Sequence, residues 1–254
     1  MQDNKFVQNA PLEQSGAKSK ATLGFTSKVL LFLGLGIALS TIVSICAPLA
    51  YQAFGWITLI KDGSTIGIVE ITTPFLIFIG CISAVTFILM LVNQFYLFAR
   101  GKTEILMYVP YCILMGLLVS FTSMFVSYYT FGLALGVSAL AMMLMGAVGY
   151  FSKGRLNSIA IIGIVLTFGS VILSLLNFFI FGNAYIMWII TFATLIAVVL
   201  FVAFDFRLVK EYSLNGNPTT GVAIYCAFRL YNDFIYIFIR LLTLFSYITR
   251  DSSN

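Results

Sequence analysis

The sequence predicts an all-α membrane protein, a bundle of seven transmembrane helices, and three observations predict it. Of the 254 residues 61% are apolar, well above the share usual in soluble domains. The 14 Lys and Arg and the 9 Asp and Glu are too few to solvate a globular surface of that size. The apolar residues gather in runs, and a span needs about 20 of them, so the total supplies about seven crossings. In lipid the backbone must satisfy its own hydrogen bonds, which makes each run a helix.

The elements follow in order. Residues 1–28 are polar, carry Lys5, Lys18, Lys20 and Lys28 amid Gln, Asn and Ser, and predict a flexible tail. Helix 1 is expected over Val29–Phe54. Its length and the polar leader argue against a cleaved signal peptide, and Ile45 before Cys46 is too large for a lipoprotein cleavage site. The later runs are Pro74–Ala99, Ile105–Tyr129, Phe131–Phe151, Ser158–Phe181, Ala184–Phe206 and Gly221–Ile248. Almost nothing separates the third from the fourth, at Tyr128–Gly132, whereas Phe181-Gly182-Asn183 marks a turn between the fifth and sixth. The transmembrane domain is thus residues 29–248, with a short C-terminal tail at 249–254.

Basic residues in short loops set orientation. Lys5, Lys18, Lys20, Lys28, Arg100, Lys102, Lys153, Arg155, Arg207 and Lys210 all fall on one side of an alternating seven-span path, and Lys61 and Arg250 on the other. The reading is N-terminus inside and C-terminus outside. Because the basic residues are scattered singly, the net charge of +5 marks topology and not a nucleic-acid surface. Histidine is absent, which removes the commonest zinc ligand, and no tightly bound cofactor is expected. Cys46, Cys81, Cys112 and Cys226 lie far apart in apolar runs and read as packing residues. The pairs Gly34 with Ala38 and Gly132 with Gly136 have the spacing that lets helix backbones approach.

Four ionisable residues remain at membrane depth: Asp205 in helix 6, and Arg229, Asp233 and Arg240 in helix 7. Such charges cost several kcal/mol on insertion scales and normally face protein or water. Arg229 and Asp233 are spaced i, i+4 and can neutralise each other on one helix; Arg240 can snorkel or contact another helix. If helix 6 continues through Tyr212, Asp205 and Asp233 are offset by about 9 Å along the bundle. Two carboxyl groups that do meet away from water hold one proton between them and titrate as a unit, a proton switch without histidine.

An enzyme is not expected. The second aspartate follows Leu230-Tyr231-Asn232, without the glycine of the GxGD intramembrane proteases; a rhomboid-type protease needs histidine; and a retinal protein needs a lysine in helix 7, where none follows Lys210.

The segment Phe204-Asp205-Phe206-Arg207-Leu208-Val209-Lys210, followed by Leu230-Tyr231-Asn232-Asp233-Phe234-Ile235 and Phe238-Ile239-Arg240-Leu241-Leu242, resembles the C-terminal signature of the Bax inhibitor-1 family, in a bacterial member. Similarity extends more weakly through helices 2 to 5, including the basic turn Ser152–Ser158. The resemblance implies a bundle with helix 7 central and a pH-sensitive calcium leak in a bacterial plasma membrane. It implies a proton-sharing dyad of Asp205 and Asp233, which would also form a weak, transient calcium site, and Arg100 as the gating partner of the first aspartate. Arg229 departs from the pattern, since similar sequences carry an uncharged residue there; a cation beside Asp233 repels Ca²⁺ and marks Arg229 as a modulator. The alternative implied by the same resemblance is a non-transporting protein that binds other membrane proteins, such as a quality-control protease.

Overall fold

The computed structural model describes residues 6–62, 65–96, 104–152, 157–215 and 219–251. Its elements are α1 (Phe6–Ala53), β1 (Ile57–Asp62), β2 (Thr65–Ile71), α2 (Thr73–Tyr96), α3 (Glu104–Ser123), α4 (Tyr128–Phe151), α5 (Asn157–Leu176) with a π-helical turn at Asn177–Phe181, α6 (Ala184–Asn215) and α7 (Thr220–Asp251). Seven of the helices are long and apolar enough to cross a membrane. The chain is a multi-pass integral membrane protein, and the Leu, Ile and Phe exposed on α2 and α5 suit contact with lipid.

Several boundaries differ from the sequence expectation. α1 is helical from Phe6, and its apolar span begins at Leu23, so the stretch expected as a tail without fixed fold continues the first helix backwards. Extending a helix that already exists costs little, and Ala17-Lys18-Ser19-Lys20-Ala21 is rich in good helix formers. The break between α3 and α4 lies at Met124–Ser127, ahead of the expected Tyr128–Gly132. Ser127 sets it: its Oγ accepts from the Thr130 N–H at 3.2 Å, an N-cap for α4. α5 ends in the π turn because Gly182 adopts φ 56° and donates its N–H to the Asn177 carbonyl at 2.7 Å. α6 runs on past Phe206 to Asn215. There Arg207 donates to Glu211 at 2.9 Å, and Lys210 donates to the Tyr150 carbonyl at 2.8 Å with its ammonium over the Tyr150 ring, which ties this end of α6 to α4.

The first connection holds an antiparallel hairpin, with Ile57 opposite Ile71 and Asp62 opposite Thr65. An Asp-Gly pair between β-branched runs is a hairpin signal that the helix-based reading passes over. Thr72 closes the base, donating its N–H and Oγ1 to the Trp56 carbonyl at 3.1 and 3.0 Å. Tyr51, Trp56, Ile57, Phe75 and Met124 form a small apolar cluster beneath it.

The main core collects around α7, which packs against α1, α3, α4 and α6. Two thirds of its span is buried, against a third or less for every other span. Close approach occurs at glycines other than the expected ones. Gly34, Gly132 and Gly136 have no neighbour where a Cβ would stand, whereas a Cβ on Gly149 would collide with the Ala203 carbonyl of α6, and one on Gly116 would lie 2.8 Å from the Ser40 carbonyl of α1. Small-residue spacing identifies a helix face that permits contact; which face is used depends on the partner. The cysteines divide likewise: Cys112 and Cys226 are packed in the core, but Cys46 and Cys81 lie on exposed faces.

Candidate functional site

α6 and α7 are antiparallel neighbours, so depth below their shared loop decides which of their residues meet. Asp205 stands 10 residues before Asn215 and Arg229 stands 9 after Thr220, about 15 and 13 Å from the respective helix ends. Asp233 is about 20 Å from its end, an offset from Asp205 of about 5 Å and not the 9 Å expected. The gap closes because α6 extends three residues beyond Tyr212.

That matched depth produces the central contact. Arg229 grips Asp205 with both arms of its guanidinium, Nε donating to Oδ2 at 3.0 Å and Nη2 to Oδ1 at 2.6 Å. Asp205 is 4% exposed and the Arg229 side chain 29%, so the pair is largely out of water and its two parallel bonds are the strong, charge-assisted kind. Nη1 also reaches the Tyr225 hydroxyl at 3.5 Å. The i, i+4 pairing of Arg229 with Asp233 does not form: the arginine crosses to α6. Asp233 lines the same cavity as Asp205 and Arg229. Its Oδ2 is buried with no hydrogen-bond partner among the described residues.

These groups border a cavity of about 440 Å³ between α2, α5, α6 and α7. α7 contributes Arg229, Asn232, Asp233, Tyr236 and Arg240, which the helical repeat places along one face. α6 adds Thr194, Val198, Phe201 and Asp205; α5 adds Thr167 and Val171; α2 adds Met90. α7 is also anchored toward α1 and α3: Tyr231 shares a 2.5 Å hydrogen bond with Ser40 of α1, Ser40 donates to the Cys112 carbonyl of α3 at 2.8 Å, and at the edge of the cavity face the Tyr111 hydroxyl donates to Asn232 Oδ1. α7 is therefore clamped toward α1 and α3 while its cavity face is open and charged.

Of the residues singled out from the sequence, Asp205, Asp233 and Arg229 come together. Arg100 lies outside the described residues. In this arrangement Arg229 donates to both oxygens of Asp205, one of the two aspartates of the expected calcium site. Calcium takes six to eight oxygen ligands, and the Arg229 charge beside Asp205 opposes a cation there. No group of three or more acidic or sulfur ligands that could hold a metal occurs among the described residues. Arg240 lines the cavity. Its 4-3-4 spacing through residues 229, 233, 236 and 240 is a sequence signal that would also have found Tyr236. Asn232, Thr167 and Thr194 are uncharged, and nothing in the sequence marks them.

The family model described as "Inhibitor of apoptosis-promoting Bax1" matches residues 22–251. An uncharacterized protein, YrjE, of Lactococcus lactis subsp. lactis (strain IL1403) is 27% identical over 235 residues, 90% of this chain and 92% of its own length.

Proposed function

The chain belongs to the Bax inhibitor-1 family of membrane proteins, a family linked to ion leak, and from that premise we propose that it is a pH-gated leak for cations, calcium among them. The observation that carries the reading is the cluster of Arg229, Asp205 and Asp233 at similar depth between α6 and α7, with Asp205 buried and gripped by Arg229.

With a proton on Asp233, its carboxyl can donate to Asp205 while Arg229 compensates the Asp205 charge. The set is then neutral and holds α6 to α7. When that proton leaves, two carboxylates compete for one guanidinium and Asp233 faces the cavity as an unpaired charge. Repulsion loosens α6 from α7, and the positive excess from Arg229 and Arg240 falls, so cations enter more readily. The leak therefore rises with pH across the titration of Asp233. In this reading the N-terminus is cytoplasmic and the C-terminus outside, which the Lys and Arg of the short loops support, and the host is a bacterial plasma membrane.

Reconstitution into liposomes loaded with a calcium dye tests the proposal. Wild type should show a pH-dependent flux, Asp233→Asn a low flux flat across pH, and Asp205→Asn an altered profile. Unchanged profiles in both variants would remove the mechanism; a stoichiometric protein partner together with no flux from the wild type would favour the non-transporting alternative.

A further inference from the structure

The α7 stripe extends beyond the aspartates into groups that gating does not use. Arg240 lines the cavity two turns past Asp233 and forms no ion pair among the described residues. It stands one turn past Tyr236 on the cavity-lining face of α7. A cation that lines a cavity without an ion-pair partner among the described residues is suited to acceptor oxygens of a bound group.

The charge balance points the same way. Arg229 and Arg240 are cationic, Asp205 is taken by Arg229, and Asp233 is the remaining carboxyl. With Asp233 protonated the cavity carries one net positive charge; with Asp233 ionised it carries none. Met90, Val171, Val198 and Phe201 supply apolar wall, and about 440 Å³ falls within the range of small-molecule sites. We infer that the cavity binds an anionic amphiphile, a carboxylate or phosphate headgroup on an apolar chain, with the headgroup held by Arg240 and the chain against those apolar residues.

The site also couples anion to proton. The charged and titratable groups that line the cavity with Asp233 are Asp205 from α6 and Arg229, Tyr236 and Arg240 on its own helix. α2 and α5 line the cavity with Met90, Thr167 and Val171 alone. Elsewhere around α7, α3 turns Tyr111 to Asn232, α1 turns Ser40 to Tyr231, and α4 packs Phe131 on Phe238. Asp233 is thus the group whose proton changes the net charge that the anion meets.

The test is equilibrium binding to the full chain in phosphatidylcholine nanodiscs, corrected with empty discs, using radiolabelled decanoate, monodecyl phosphate, decanol and decyltrimethylammonium. Decanoate or decyl phosphate should bind saturably and the two controls should not; preference for the carboxylate points to free fatty acid, and for the phosphate to a lipid headgroup. Arg240→Gln should weaken binding at least about tenfold, the worth of one charge-assisted hydrogen bond, and Arg240→Lys should recover most of it. Wild-type affinity should fall as pH rises, and Asp233→Asn should hold it constant. Equal uptake of decanol, or an Arg240→Gln variant that binds like wild type, would overturn the inference and leave a merely snorkelling arginine. Because the readout is binding and not flux, failure here leaves the gating proposal standing, and the reverse also holds.

Discussion

Replacing Arg229 by glutamine removes both donors from Asp205 and leaves a 4%-exposed carboxylate without its cation. Deleting one partner of a buried ion pair typically costs about 3–5 kcal/mol, because the other charge is stranded. Asp205 has an escape, which is to take up a proton. From an unperturbed carboxylate near pKa 3.9, protonation costs about 4 kcal/mol at pH 7 and about 1.5 kcal/mol at pH 5. The escape caps the loss at each pH, so Arg229→Gln should be destabilised by about 3–4 kcal/mol at pH 7 and only about 1.5 kcal/mol at pH 5. The sign follows from the stranded group: lower pH supplies the proton that replaces the guanidinium. Unfolding of the purified protein in detergent, followed by circular dichroism at the two pH values, measures the difference. Arg229→Gln combined with Asp205→Asn should regain most of the loss at pH 7. A loss independent of pH, or no rescue in the double variant, would refute the pairing of these two residues as the source of the stability.

Three further outcomes follow from the packing and the site. Gly149→Ala drives a methyl group into the Ala203 backbone and should cost about 1–3 kcal/mol in the same unfolding assay. Gly34→Ala meets no neighbour and should be neutral or gain up to about 1 kcal/mol from helix propensity; equal effects at the two positions would contradict the α4–α6 contact. Tyr111→Phe keeps the buried ring but strips Asn232 Oδ1 of its donor, for a loss of about 1–3 kcal/mol, and a stability unchanged from wild type would show that the hydroxyl is not committed there.

Much of the architecture was legible because a bilayer imposes a length and a composition. The seven apolar runs could be found without any partner, since each must reach about 20 residues and satisfy its backbone alone. The same logic exposed Asp205, Arg229, Asp233 and Arg240, whose cost in lipid marks them wherever they end up. Helix ends were less legible, because the polar stretch before Leu23 and the amphipathic end of α6 can remain helical once the buried portion exists. The hairpin rests on Asp62-Gly63, a local turn signal that span length and loop charge do not weigh.

Partner choice is a different kind of fact. On one helix Arg229 has Asp233 a turn away and the sequence makes that pairing natural, yet the guanidinium crosses to Asp205, which the antiparallel packing of α6 and α7 brings to nearly the same depth. Likewise Gly34 and Gly149 look equivalent in a sequence, and only the neighbouring helix makes one of them indispensable. Local sequence determined which groups must find a partner, because burial penalises them individually. The assembled bundle decided which partner each one found, because contact depends on depth and facing, and those belong to pairs of helices.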